Sequence, residues 1–180
     1  MIEKPMPGDP TGRDLIDRII RVDQAGEYGA VRIYAGQLAV LSEGPAKQAI
    51  RDMAKKEAEH LAAFDKLVAE RGVRPTALQP VWHVAGFALG AATAMLGPRA
   101  AMACTVAVEE AIDEHYAGQA RALGDDEKPL RRRIEEFRAD ELEHRDTALK
   151  HDAERAPAYP LLAAAIKTGS RLAIWLSERI

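Results

Sequence analysis

The chain has 180 residues, of which 47% are hydrophobic and 29% are charged, as expected for a globular protein with a substantial core. Its net charge of −3 argues against a dominant role in nucleic-acid binding, so we expect no nucleic-acid partner. Cys104 is the only cysteine, which excludes an intramolecular disulfide and fits a reducing compartment. The N-terminal residues resemble neither a signal peptide nor a transit peptide, so we expect a cytoplasmic protein, with a mature organellar form as the alternative.

The N-terminal part of the chain predicts a loosely ordered segment followed by a pair of helices. Residues 1–10 are rich in Pro and Gly and are expected to be loosely ordered. Apolar residues at helical spacing predict a first helix over about residues 14–42 and a second over about 46–71. Gly44-Pro45 separates the two, and Gly72 is a typical residue to end the second.

Residues 75–98 form a segment without any Lys, Arg, Asp or Glu. Its most apolar part predicts a short helix over about 84–96, whereas a bilayer core requires about 20 apolar residues. We therefore predict that this segment is a crossover between two helix pairs. It either lies on a membrane surface or simply covers the bundle.

The remainder of the chain predicts three more helices, over about 98–123, 128–154 and 161–178, and no strand pattern is found. The pairs in residues 14–71 and 98–154 look like distant copies of one another. These patterns predict an all-α fold in a single domain over residues 1–180: a four-helix bundle with the 75–98 crossover and an extra C-terminal helix at 161–178.

Two copies of the pattern Glu-x-x-His stand out, Glu57 with His60 and Glu141 with His144. On a helix, residues three apart lie on one face, so the carboxylate and the imidazole of each copy can converge on one metal ion. One such pair is weak support for a metal site, but here one copy falls in each of the two similar halves.

Each half also contains an earlier glutamate, Glu27 or Glu109, in the middle of an apolar helix face. A carboxylate there is costly unless it is paired or binds metal. Tyr34 and Tyr116 follow these glutamates by two helical turns. The pattern therefore predicts a site for two metal ions, and carboxylates with imidazoles but no thiolate favour iron or manganese over structural zinc. The alternative, histidines bonded to the backbone and glutamates in surface pairs, accounts poorly for four glutamates on apolar faces. The candidate ligands are Glu27, Glu57, His60, Glu109, Glu141 and His144.

Other residues near the candidate ligands have less specific roles. Asp23 and Asp113 are candidate hydrogen-bond partners for the N–H groups of the ligand histidines. Gly26 and Gly29 either leave room for a substrate or allow close packing of a neighbouring helix. Tyr116 is a candidate to hydrogen-bond a metal ligand or relay an electron, or it merely packs.

The sequence resembles the demethoxyubiquinone hydroxylase family of ubiquinone biosynthesis, in family order and over nearly the whole chain. The stretches that carry the resemblance are RVDQAGEYGA (21–30), KEAEHL (56–61), WHVAGFALGAATAMLG (82–97), ACTVAVEE (103–110), ELEH (141–144) and APAY (156–159).

This resemblance implies a ferritin-like di-iron fold and an enzyme peripheral to the cytoplasmic side of the cell membrane. It implies hydroxylation of a polyprenylated demethoxy-benzoquinol, 3-demethoxyubiquinol, by O2, with electrons ultimately from NADH. Two Fe ions would be held by the six candidate ligands, with Glu57 and Glu141 as the bridging carboxylates. Some relatives work with a lipid-binding accessory protein, which is an expected partner here too.

Two other function classes remain open on the sequence. The first is a ferritin-like protein that oxidises and stores iron, although the uncharged crossover and the apolar last helix argue against a soluble cage. The second is a non-catalytic helical interaction module, which metal analysis after expression with iron would distinguish.

Overall fold

A computed structural model describes residues 12–180, and within them the chain forms six α-helices, two short 3-10 turns and no strand. The all-α prediction is therefore confirmed. The predicted loose order of residues 1–10 lies outside the described residues, so the single domain over 1–180 stays a prediction. The helices are α1 (Arg13–Val40), α2 (Pro45–Arg71), α3 (Gln79–Met95), α4 (Pro98–Ala122), α5 (Lys128–Lys150) and α6 (Tyr159–Ser177).

The helix ends follow from local chemistry. The five helices α2 to α6 each have a proline in the first turn, where its missing N–H leaves no hydrogen bond unmade. Gly72 closes α2 in the left-handed conformation, and its N–H donates to the Val68 carbonyl. Two predicted bounds were wrong. α3 begins at Gln79, well before residue 84, with Pro80 in its first turn, and α5 ends at Lys150, before residue 154, where Asp152 takes a φ of 62°.

The bundle consists of two helix pairs. α1 packs on α2 and α4 packs on α5, while α3 lies along α1 and α6 lies along α4. α3 is thus the crossover between the two pairs, and α6 is the extra C-terminal helix, as predicted. No helix within residues 12–180 has the length and apolar character needed to cross a bilayer.

α3 approaches α1 very closely because glycines on each helix face the backbone of the other. A Cβ atom added at Gly90 would collide with the carbonyl oxygen of Ile33, and one at Gly36 would collide with the carbonyl oxygen of Phe87. These glycines therefore fix the distance of the crossover helix from the bundle.

Candidate metal centre

The hydrophobic core of the bundle is divided into two clusters, and polar residues lie between them on each of the four helices. Along α4, for example, Glu109 lies between Met102 of one cluster and Ile112 of the other. In each of the other helices a glutamate likewise lies between residues of the two clusters, which places four carboxylates at the middle of the bundle with at most 1% of each residue exposed. We call the six residues gathered there the Glu/His cluster: Glu27 from α1, Glu57 and His60 from α2, Glu109 from α4, and Glu141 and His144 from α5.

The Glu/His cluster contains two overlapping groups of candidate ligands. One comprises Glu27, Glu57, His60 and Glu141, and the other comprises Glu57, Glu109, Glu141 and His144. Within each group, one atom from each residue lies within 4.8 Å of all the others. Glu57 and Glu141 belong to both groups, which is the arrangement that two adjacent ions bridged by shared carboxylates require. All six predicted residues are thus brought together.

The two histidines both turn Nδ1 toward the carboxylates. Nδ1 of His60 lies 3.1 Å from Oε1 of Glu141 and 3.6 Å from Oε2 of Glu27. Nδ1 of His144 lies 2.9 Å from Oε1 of Glu57 and 3.2 Å from Oε2 of Glu141. The helical spacing of Glu-x-x-His therefore points both imidazoles inward, as it predicts.

The oxygen and nitrogen atoms of the Glu/His cluster are of the types that bind divalent cations. Among the described residues, both oxygens of Glu57 and one oxygen each of Glu27 and Glu109 make no hydrogen bond of normal geometry, although Nδ1 of His144 lies 2.9 Å from Oε1 of Glu57. Burial raises the pKa of Glu57 and of Glu109 well above the ordinary value. Burial lowers the pKa of His60, but hydrogen bonds to Glu141 and Glu27 outweigh it and raise that pKa to about 10. Buried carboxylate oxygens that make no hydrogen bond, together with imidazole nitrogens, are ligand types that suit iron or manganese.

Two buried tyrosines tie the halves of the bundle together. The hydroxyl of Tyr34 on α1 donates to Oε1 of Glu109 on α4 at 2.8 Å. The hydroxyl of Tyr116 on α4 donates to Oε1 of Glu27 on α1. Burial and the charge of Glu27 raise the pKa of Tyr116 well above the ordinary value, so this hydroxyl keeps its proton and acts as a donor. Of the three alternatives for Tyr116, the structure favours contact with a candidate ligand.

The predicted hydrogen-bond partners of the histidines were wrong. Asp23 accepts a hydrogen bond from Gln119 at 2.7 Å, and Asp113 accepts one from Arg138 at 2.6 Å. Both were placed near the ligands by counting along their own helices. That count does not show which neighbouring helix packs against a given face.

The carboxylate outside the cluster that does contact a ligand histidine is that of Asp140. Its Oδ2 lies 3.0 Å from Nε2 of His60. Sequence reasoning missed this contact because Asp140 precedes Glu141, and adjacent helical residues point in directions about 100° apart. The only signal in the sequence was an acidic residue directly before a Glu-x-x-His motif.

An apolar cavity of about 500 Å³ lies beside the helices that carry Glu27 and Glu109, between α1, α3, α4 and α6. Gly26 and Val108, the immediate neighbours of these glutamates in sequence, line it. A Cβ atom at Gly26 or at Gly29, which also lines the cavity, would meet no atom within 4 Å. The two glycines therefore keep the cavity open, which favours the interpretation of room for a substrate over close helix packing.

Comparison with known proteins gives a consistent result. The family model described as "Ubiquinone biosynthesis protein COQ7" matches residues 14–177. A 3-demethoxyubiquinol 3-hydroxylase of Rhodospirillum rubrum is 61% identical over 179 residues, which cover 99% of this chain and 84% of the relative. The human mitochondrial NADPH-dependent 3-demethoxyubiquinone 3-hydroxylase is 53% identical over 176 residues, covering 96% and 81% of the two chains. The mitochondrial 5-demethoxyubiquinone hydroxylase of Saccharomyces cerevisiae is 45% identical over 182 residues, covering 92% and 78%.

Proposed function

This chain belongs to the ubiquinone biosynthesis protein COQ7 family and is a demethoxyubiquinol hydroxylase, and from this premise we propose that it works as a di-iron monooxygenase. The observation that carries the proposal is the sharing of Glu57 and Glu141 by two groups of four candidate ligands. Family membership supports hydroxylation over the alternative of ferritin-like iron oxidation and storage. It also supports an enzyme over a non-catalytic interaction module.

We propose that the Glu/His cluster holds two iron ions, with Glu57 and Glu141 bridging them. Iron bound there would supply the reduced centre that activates O2. The chain itself fixes the positions of the candidate ligands. Tyr34 and Tyr116 hold the carboxylates of Glu109 and Glu27 by donated hydrogen bonds, and the two core clusters keep bulk water away from both sides of the site.

The apolar cavity is the proposed binding site for the quinol ring and the adjoining part of the prenyl tail. Its lining is almost entirely aliphatic or glycine, and the few polar groups include Trp82 and Ser177, whose side chains are hydrogen-bonded to each other at 2.9 Å. A cavity of this size buries only part of a long polyprenyl chain, so the remainder of the tail lies outside the protein. An apolar wall next to the metal centre would hold the ring by shape and exclude water.

The electron source is proposed to be a reduced nicotinamide nucleotide. Inserting one atom of O2 into the ring and releasing the other as water requires two electrons and two protons in addition to the quinol. The expectation from the sequence is NADH, whereas the animal relatives are named as NADPH-dependent enzymes. Comparing NADH with NADPH in turnover by the purified chain distinguishes them. Adding the lipid-binding accessory protein to the same assay shows whether turnover requires it.

Turnover with isotopically labelled O2 tests the monooxygenase proposal. The iron-loaded chain, reduced and given 3-demethoxyubiquinol in vesicles under ¹⁸O2, is expected to form a product whose new hydroxyl carries ¹⁸O. A product that contains only oxygen from water would contradict the proposal, since the ring oxygen would then not come from O2.

We further propose that the protein lies on the cytoplasmic side of the cell membrane, peripheral to it, through α3 and α6. Apart from Val40, all large hydrophobic side chains that are exposed in the described residues lie in or next to these two helices. Val84 and Met95 in α3 are 67% and 76% exposed, and Trp175 in α6 is 51% exposed. The apolar cavity lies between the same two helices and the bundle, so a tail leaving the cavity would enter the lipid directly.

Flotation of the purified chain with liposomes tests membrane contact. The wild-type chain is expected to float with the vesicles, and Val84→Glu is expected to weaken this binding about tenfold or more because a charge would enter the interface. Val40→Glu is the matched control, since it makes the same change at an exposed valine outside α3 and α6. Equal flotation of the two variants, or no flotation of the wild type, would contradict the proposed surface.

A further inference from the structure

The two Glu-x-x-His copies differ in what holds the outer nitrogen of their histidine. Nε2 of His60 lies 3.0 Å from Oδ2 of Asp140. The other oxygen of Asp140 lies 3.2 Å from Nζ of Lys56, so the carboxylate is itself held from the far side. This chain of contacts joins α2 to α5 on the outer side of the Glu/His cluster.

The corresponding positions of the two copies carry opposite charges. Asp140 directly precedes Glu141, and Lys56 directly precedes Glu57. A lysine ammonium has no acceptor for an imidazole N–H, so Lys56 cannot do for His144 what Asp140 does for His60. Within residues 12–180, no side chain forms a hydrogen bond or ion pair with Nε2 of His144.

The ring of His60 is also fixed on its face. Phe137 of α5 stacks on it, with ring centroids 3.9 Å apart and planes inclined by 23°. The stacking limits rotation of the ring, and the contact with Asp140 holds Nε2 on the outer side of the Glu/His cluster. Together they leave Nδ1 free to face Glu27 and Glu141.

We propose that Asp140, held in place by Lys56, is a positioning residue that makes the two metal positions unequal. The group containing His60 then binds its ion first and more tightly than the group containing His144. A carboxylate that accepts the outer N–H of a ligand histidine fixes the tautomer and raises the basicity of the inner nitrogen, and loss of such a contact costs 10- to 100-fold in metal affinity. This inference rests on the proposed function, since it requires the metal centre.

Anaerobic calorimetric titration of the metal-free chain with Fe²⁺ alone tests the inference, because it needs no turnover. The wild type is expected to bind two ions in separate steps, the first about tenfold or more tighter. Asp140→Asn is expected to weaken the first step 10- to 100-fold and to leave the second within about threefold. Lys56→Met keeps Asp140 but removes the ion pair that holds its carboxylate, and it is expected to weaken the first step less than Asp140→Asn does. Glu143→Gln is the matched control, since it removes one exposed negative charge from the same helix.

Two ligand variants assign the steps to the two groups. His144→Ala is expected to retain the tight step, and His60→Ala is expected to lose it. The inference is overturned if Asp140→Asn behaves like Glu143→Gln, or if the tight step survives in His60→Ala and not in His144→Ala. A wild-type chain that takes up fewer than two ions would instead contradict the proposed metal centre itself, so the two failures are distinguishable.

Discussion

Replacing Glu57 by glutamine is expected to reduce iron in the purified chain from about two ions to fewer than one and, at the same time, to stabilise the metal-free chain. Glu57 belongs to both groups of candidate ligands, so its loss affects both positions. In the metal-free chain, however, its carboxylate is fully buried among the carboxylates of Glu27, Glu109 and Glu141, and Nδ1 of His144, 2.9 Å from its Oε1, is the imidazole beside it. A neutral side chain of the same shape removes the cost of burying that charge, and we expect a gain of about 1–3 kcal/mol in the free energy of unfolding.

Iron analysis and thermal melting of the metal-free chain measure the two effects. For a chain of this size, each kcal/mol corresponds to a rise in Tm of about 2–4 °C. Glu59→Gln is the matched control, because Glu59 lies on the same helix but is exposed, and it is expected to change stability by no more than about 0.5 kcal/mol. Full iron content in Glu57→Gln would contradict the ligand assignment.

The stabilisation of Glu57→Gln is expected to depend on pH in one direction. Burial raises the pKa of Glu57 in the folded chain above its unfolded value of about 4.5, so the folded state binds more protons than the unfolded state. The wild-type metal-free chain therefore loses stability as pH rises above about 4.5, whereas glutamine does not titrate. Melting curves should show the advantage of the variant at neutral pH and its decrease as pH falls toward 4.5.

Filling the cavity with Gly29→Leu is expected to lower turnover of the long-tailed quinol about tenfold or more while leaving iron content unchanged. Gly29 lines the cavity, and no atom lies within 4 Å of a Cβ placed there, so the larger side chain would take space proposed for the substrate. Because leucine is a better helix former than glycine by up to about 1 kcal/mol, the variant is expected to be at least as stable as the wild type.

The control for this substitution is Gly118→Leu on α4. A Cβ there also meets no atom within 4 Å, but Gly118 does not line the cavity. Steady-state rates at several quinol concentrations, with iron analysis of the same samples, separate loss of substrate binding from loss of metal. Wild-type turnover in Gly29→Leu would show that the quinol does not use this cavity.

The sequence predicted the helix order and the residues of the Glu/His cluster because both depend on local periodicity. The spacing within Glu-x-x-His orients each pair on its helix, and Glu27 and Glu109 were identified by their position on apolar faces. The matched spacing of Tyr34 and Tyr116 also corresponds to a shared role, since both hydroxyls donate hydrogen bonds to candidate ligands. Each tyrosine bonds to the glutamate of the opposite half, however, which could not be predicted from its own helix.

The features that sequence reasoning missed depend on how helices face one another. The contact between Asp140 and His60 crosses from α5 to α2, and Asp23 and Asp113 were preferred only because they are near the ligands along their own helices. The cavity likewise depends on the separation of α3 and α6 from the bundle. The close approach of α3 is set by glycines whose role is visible only when the neighbouring backbone is in place.

Complementation of a mutant blocked at hydroxylation of 3-demethoxyubiquinol tests the central claim most directly, with the wild-type chain and Glu57→Gln expressed at equal levels. Lipid extracts are analysed for ubiquinone and for the demethoxy precursor. We expect the wild type to restore ubiquinone and Glu57→Gln to leave the precursor accumulated. Restoration of ubiquinone by Glu57→Gln to the wild-type level, or accumulation of the precursor with the wild-type chain, would contradict the account.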